Sequence, residues 1–145
     1  MVLRERSAIV LAASFAVGGY IAFSPYLFLH TVMVFVFSWL FSLNYFVVLA
    51  SSNLINNPWS MVFVYSSGYF VGEWILGTLC GIDTASCNPY WVQWFNELLH
   101  SKTGLQGIAF WSFMVGGNLL GLLVAGMLYP IMKPIFTRLV KQIHN

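Results

Sequence analysis

Apolar positions in this chain do not alternate with polar ones. They run together in four long blocks, residues 7–23, 27–54, 61–81 and 104–129. Ser24-Pro25, Asn56-Asn57-Pro58-Trp59, the mixed stretch 82–103 and Pro130 punctuate them. A bilayer core about 30 Å thick takes about 20 apolar residues of helix, so each block reads as a crossing. The pattern therefore predicts an all-α fold, a polytopic transmembrane helical bundle of about four spans in a single domain, residues 1–145. Pro25, Pro58 and Pro130 fall where helices should start or stop, because proline lacks the N–H and clashes with the preceding turn.

The second block is long for one crossing, about 40 Å at 1.5 Å per residue. A break near Ser42-Leu43-Asn44 would make it a re-entrant pair, which lipid tolerates only against protein or water. A single tilted or kinked span is the favoured reading. Two flanking segments read as interfacial helices. Asn88 is a good N-cap and Pro89 a good first residue for an outer helix with Trp91, Trp94, Phe95, Leu98 and Leu99 on one face and Gln93, Asn96 and Glu97 on the other. Pro134 opens a basic amphipathic C-terminal helix, with Lys133, Arg138 and Lys141 opposite Ile135, Phe136, Leu139, Val140 and Ile143. It suits an anionic inner leaflet or acts as a simple stop-transfer anchor.

Composition agrees with lipid as the solvent. Charged residues make up 7% of the chain against 59% hydrophobic ones, with a mean hydropathy of +0.80. Soluble domains carry about 25% charge, and a chain this short has no water-soluble core large enough for so much apolar surface. The net charge of +2 is too small to suggest nucleic acid. Arg4 and Arg6 precede the first block and the basic tail follows the last, which puts both termini in the cytoplasm and the loop 82–103 outside. The start also fits the outline of a signal peptide, but no small-residue cleavage site ends the apolar run before Ser24, so it is read as a span.

Candidate chemistry is sparse. No catalytic constellation is present, and His30, His100 and His144 lack metal-ligand spacing, so neither an enzyme nor a cofactor is expected. Cys80 and Cys87 permit a disulfide on the outer side or remain two free thiols. Gly68 with Gly72, then Gly77, and Gly117 with Gly121 suggest close packing of the third and fourth helices, within or between chains. Glu73 is the single carboxylate in mid-span. A charge there is expensive and should face inward, towards a polar partner such as His30, Asn44 or Asn118, or a subunit contact. With Asn57, these residues form the candidate intramembrane polar site. The bland reading of its amides is interhelical hydrogen bonding.

The segment from Ala12 to Pro25 resembles the opening of a bacterial membrane family known only as domain of unknown function 2062. Gly18, Phe23, Pro25, His30 and Thr31 match its glycine–aromatic–proline–His-Thr pattern. Ser42-Leu43-Asn44, lacking the usual arginine, Asn57-Pro58, Tyr69, Gly72 and Gly77 follow in order. The usual prolines after the Asn-Pro turn are missing. The resemblance implies a multi-span bacterial protein, with a faint link to lipid-linked sugar or envelope work through fused relatives. It implies no activity.

The leading expectation is a small protein of the inner membrane that transports, or handles a lipid or lipid-linked substrate, as an oligomer among membrane lipids. The alternative is a scaffold or accessory subunit for an envelope-building enzyme. A polar cavity open to one face and lined by Glu73, His30 or Asn57 would favour the first. Pairwise satisfaction without a cavity would favour the second.

Overall fold

In the computed structural model, residues 7–26, 29–84, 86–104 and 107–144 are described. They form six helices: α1 (Ala8–Phe23), α2 (His30–Leu40), α3 (Tyr45–Ile55), α4 (Met61–Glu73), α5 (Tyr90–Thr103) and α6 (Phe110–His144). No strand occurs among the described residues. Arg4, Arg6 and Leu27 lie outside them.

α1 is the central helix because its side chains are small on several faces. Gly18 lies against Val48 and Ser51 of α3, while Gly19 sits beneath Val124 and Leu128 of α6. The Tyr20 hydroxyl donates to Asn118 Oδ1 at 2.7 Å, and the Asn118 amide donates to the Met114 carbonyl. Asn118 is thus a pin between α1 and α6, satisfied pairwise. Gly117 meets Phe23 and Pro25, Gly121 meets Tyr20, and Phe15 approaches Phe136. As the numbers rise along α1 they fall along α6. The two helices are antiparallel, and the start of α1 lies towards the end of α6.

The second apolar block is not one helix, as a single tilted or kinked span would require. It breaks at Phe41–Asn44 into two 11-residue helices, α2 and α3, each about 16 Å long. The cause is local. Ser42 takes a left-handed conformation, φ 51°, at the position after the cap where glycine usually stands. The Leu43 N–H bonds the Ser38 carbonyl at 2.9 Å, and the Ser42 N–H bonds that of Trp39. This is a Schellman closure. Asn44 then caps α3, its Oδ1 accepting from the Phe46 and Val47 N–H groups. The turn is anchored to α1, since the Asn44 N–H donates to buried Ser14 Oγ at 2.8 Å. Ile21, Val34 and Val48 form the buried core where α1, α2 and α3 meet.

α2 runs back along α1 and α3 returns beside it. The chain then turns through Asn56–Ser60 into α4, which pairs Gly68 with Gly117, and Gly72 with Gly116 and Ser112. α4 is therefore antiparallel to α6 and runs in the same direction as α1 and α3. α3 and α4 form one helical path broken at Asn57-Pro58. Asn57 holds the break. Its Oδ1 accepts from the Trp59 and Ser60 N–H groups at 2.9 Å, and its amide donates to the Leu54 carbonyl. At Pro25, by contrast, α1 simply ends, with the Ser24 N–H on the Tyr20 and Ile21 carbonyls.

α6 also departs from the expected boundaries. It is continuous from Phe110 through Pro130 and Pro134, so the crossing and the basic C-terminal segment are one 35-residue helix. Each proline removes one backbone donor, which normally bends or breaks a helix. Gly126, one turn before Pro130, has open space where a Cβ would stand. Contacts with α1 extend to Phe136 and hold the helix on both sides of the prolines. Among the described residues α6 is the one helix long and apolar enough to cross a membrane. α1, α2 and α3 are shorter apolar helices.

Candidate functional site

Glu73 ends α4, and the next turns, Trp74–Leu79, widen into a π-helix. Such widened turns often accompany functional positions because they re-aim side chains. They bring the chain round so that Thr84, 11 residues on, faces back to Glu73. The Thr84 hydroxyl donates to Glu73 Oε1 and Oε2 at 3.0 and 3.1 Å, and the Ser112 hydroxyl to Oε2 at 2.7 Å. Both donor residues are buried. Glu73 therefore faces inward, but its partners are hydroxyls of the loop after the π-helix and of α6. His30, Asn44 and Asn118 lie elsewhere. Gly77, expected at a helix contact, meets only Glu73 Oε1 at 3.7 Å.

The Glu73 carboxylate opens onto a cavity of about 680 Å³. Tyr69 and Thr84 line it from the α4 side, Asn88 and Ala109 from its floor, and the polar face of α5, with Gln93, Glu97 and His100, from above. Gln93, Glu97, His100 and Ser101 are exposed, so this side is the mouth. The opposite face of α5 carries Trp91, Trp94, Phe95 and Leu98, all exposed, as expected from its spacing. Gly104 closes the helix with φ +69°, its N–H on the His100 carbonyl.

Asn88 does not cap α5; Pro89 occupies that position. Its Oδ1 instead accepts the Phe110 N–H at 2.8 Å, the first of α6, and its amide donates to the Ile108 carbonyl. Asn96 grips Ile108 from the other side, accepting from its N–H and donating to its carbonyl. Two amides thus clamp the segment leading into α6 and set the cavity floor. Nothing in the helical spacing of 88–99 revealed this, because both partners lie beyond the next turn.

A second cavity of about 590 Å³ runs between α4 and α6 below Glu73. Tyr65, Ser66, Phe70 and Phe113 line it, and it shares Tyr69, Gly107 and Ile108 with the first. The polar chamber and this largely apolar groove have one wall in common.

The remaining sequence candidates scatter. His30 lines a small cavity of about 220 Å³ with Thr31, Ser52, Asn53 and Asn56, between the start of α2 and the end of α3. Asn44, Asn57 and Asn118 hold backbone or tyrosine partners as described. Cys80 and Cys87 are both exposed and free, so no bridge joins them. Among the described residues no group of three or more His, Cys, Asp or Glu side chains is placed to hold a metal.

A family model described as "Uncharacterized protein conserved in bacteria (DUF2062)" matches residues 3–144. No curated protein and no solved structure matches the chain.

Proposed function

The chain therefore belongs to that bacterial family, and we propose that it is an integral protein of the inner membrane that takes an amphiphilic or lipid-linked substrate at its outer face, for transfer or transport. One observation carries this reading. The polar cavity around Glu73 shares Tyr69, Gly107 and Ile108 with an apolar groove that descends between α4 and α6. A polar head and a hydrocarbon chain need such a pair of sites side by side. A scaffold needs only satisfied pairs, such as Tyr20 with Asn118. The reading is one of binding and passage, not of covalent chemistry. The site is complete within one chain, since Gly68, Gly72, Gly117 and Gly121 are packed within it.

In this reading α1 and α6 are the full crossings. α2 and the broken path α3–α4 enter from the outer side as a hairpin, down to the level of Ser14. Backbone that turns at membrane depth must have its polar groups satisfied, and here the Ser42 and Leu43 N–H groups bond the Trp39 and Ser38 carbonyls while Ser14 takes the Asn44 N–H. Two crossings plus a hairpin leave both termini cytoplasmic, with Lys133, Arg138 and Lys141 inside. The native thiols report the topology. A membrane-impermeant maleimide should label Cys80 and Cys87 on spheroplasts with an intact inner membrane. Labelling only after that membrane is opened would reverse the orientation.

A lipid carrying a diazirine on its acyl chain tests the site itself. Irradiated with the purified protein, it should mark peptides containing residues 65–70 and 107–113. Marking spread evenly over exposed apolar positions such as Trp39, Phe63 and Leu122 would leave the protein with an ordinary lipid annulus and no site.

A further inference from the structure

Given the amphiphile reading above, the chemistry of the Glu73 cavity narrows the headgroup. We infer that it takes a lipid bearing a primary ammonium group. Glu73 receives two hydroxyl protons, from Thr84 and Ser112. A carboxylate offers about four acceptor sites, so part of it stays available to the cavity. Glu97 stands at the mouth, exposed, and among the described residues no lysine or arginine lines the space. Among the described residues neither carboxylate has an ion-pair partner. The amide oxygens of Asn88 and Asn96 are taken by the Phe110 and Ile108 N–H groups, and Asn88, Asn96 and Gln93 each give one N–H to a backbone carbonyl.

The cavity therefore offers two carboxylates and, among the described residues, no lysine or arginine to oppose them. Its complement is a compact cation with several N–H groups. A primary ammonium has three donors and no acceptor. An anionic head would face repulsion from Glu73 and Glu97. A quaternary ammonium carries the charge but brings no N–H to the carboxylate. The groove shared through Tyr69 and Ile108 makes the carrier a lipid and not a free amine, because the apolar chain has its own seat beside the head. In a phospholipid of this kind the phosphate stays at the exposed mouth, beside His100 and Ser101.

The test uses the full chain in nanodiscs of equal phosphatidylethanolamine, phosphatidylcholine and phosphatidylglycerol, with the retained lipid identified by native mass spectrometry. Phosphatidylethanolamine should be enriched about tenfold or more over each of the others, the factor expected for one hydrogen bond to a charged group. Glu73→Gln should abolish the preference. Glu97→Gln, an exposed change that leaves the fold alone, should weaken it. Retention of one lipid per chain without preference, or a preference unchanged in both variants, would overturn the ammonium inference and leave the amphiphile reading intact. If no lipid stays with the parent chain, both fall.

Discussion

Gly72→Ala should destabilise the protein by about 1–3 kcal/mol, the usual cost of forcing a methyl group into a packed interior. A Cβ at Gly72 would overlap the Ser112 carbonyl. That atom belongs to the backbone of α6 and has no rotamer by which to escape. Gly116→Ala meets the same obstacle from the other side, at the Gly68 carbonyl and the Gly72 backbone. Both changes separate α4 from α6 and move the Ser112 hydroxyl away from Glu73, so the site loosens along with the fold. Gly126→Ala is the control. It lies in the same helix with open space around it, where alanine gains up to about 1 kcal/mol of helix propensity. Unfolding in mixed micelles should order the three variants with Gly126→Ala at or above the parent and the other two well below it. Equal stability of Gly72→Ala and Gly126→Ala would mean that the close α4–α6 contact does not exist in solution.

The sequence carried the helical class and the amphipathic helix α5 plainly, because apolar runs and tryptophan spacing are local properties. The breaks were less legible. Asn44 was a readable N-cap, but the matching stop at Ser42 uses a serine where a left-handed cap normally has glycine, so it gave no stop signal. Pro130 gave a false stop and Pro134 a false start. What keeps α6 continuous is packing against α1 along its length, which lies outside any local pattern. The close contact of α4 with α6 was legible in Gly68, Gly72 and Gly117, but Gly121 meets Tyr20 and Phe23 of α1, and the part played by Ser112 and Gly116 was not read.

The candidate site was half legible. An inward Glu73 follows from the cost of a carboxylate against lipid. Its partners do not, because Thr84 reaches it only through the widened turns after α4, and Ser112 is 39 residues away. Asn88 read as the cap of a short helix and Asn96 as part of its polar face, whereas both fix the backbone at 108–110.

Ser66→Trp should remove the bound amphiphile almost completely. Ser66 is exposed on α4 and lines the groove below Glu73, so an indole there fills the chain's seat without entering the core. The substitution leaves Glu73, Thr84 and Ser112 untouched, which separates occupancy of the groove from headgroup chemistry. Phe63→Trp makes a similar ring on the same helix outside the groove, where Phe63 is 77% exposed. Native mass spectrometry of the purified chain counts the lipid directly. The parent and Phe63→Trp should carry one lipid per chain, and Ser66→Trp should carry none. Equal occupancy in all three would contradict the claim that the α4–α6 groove beneath Glu73 is where this protein holds its substrate.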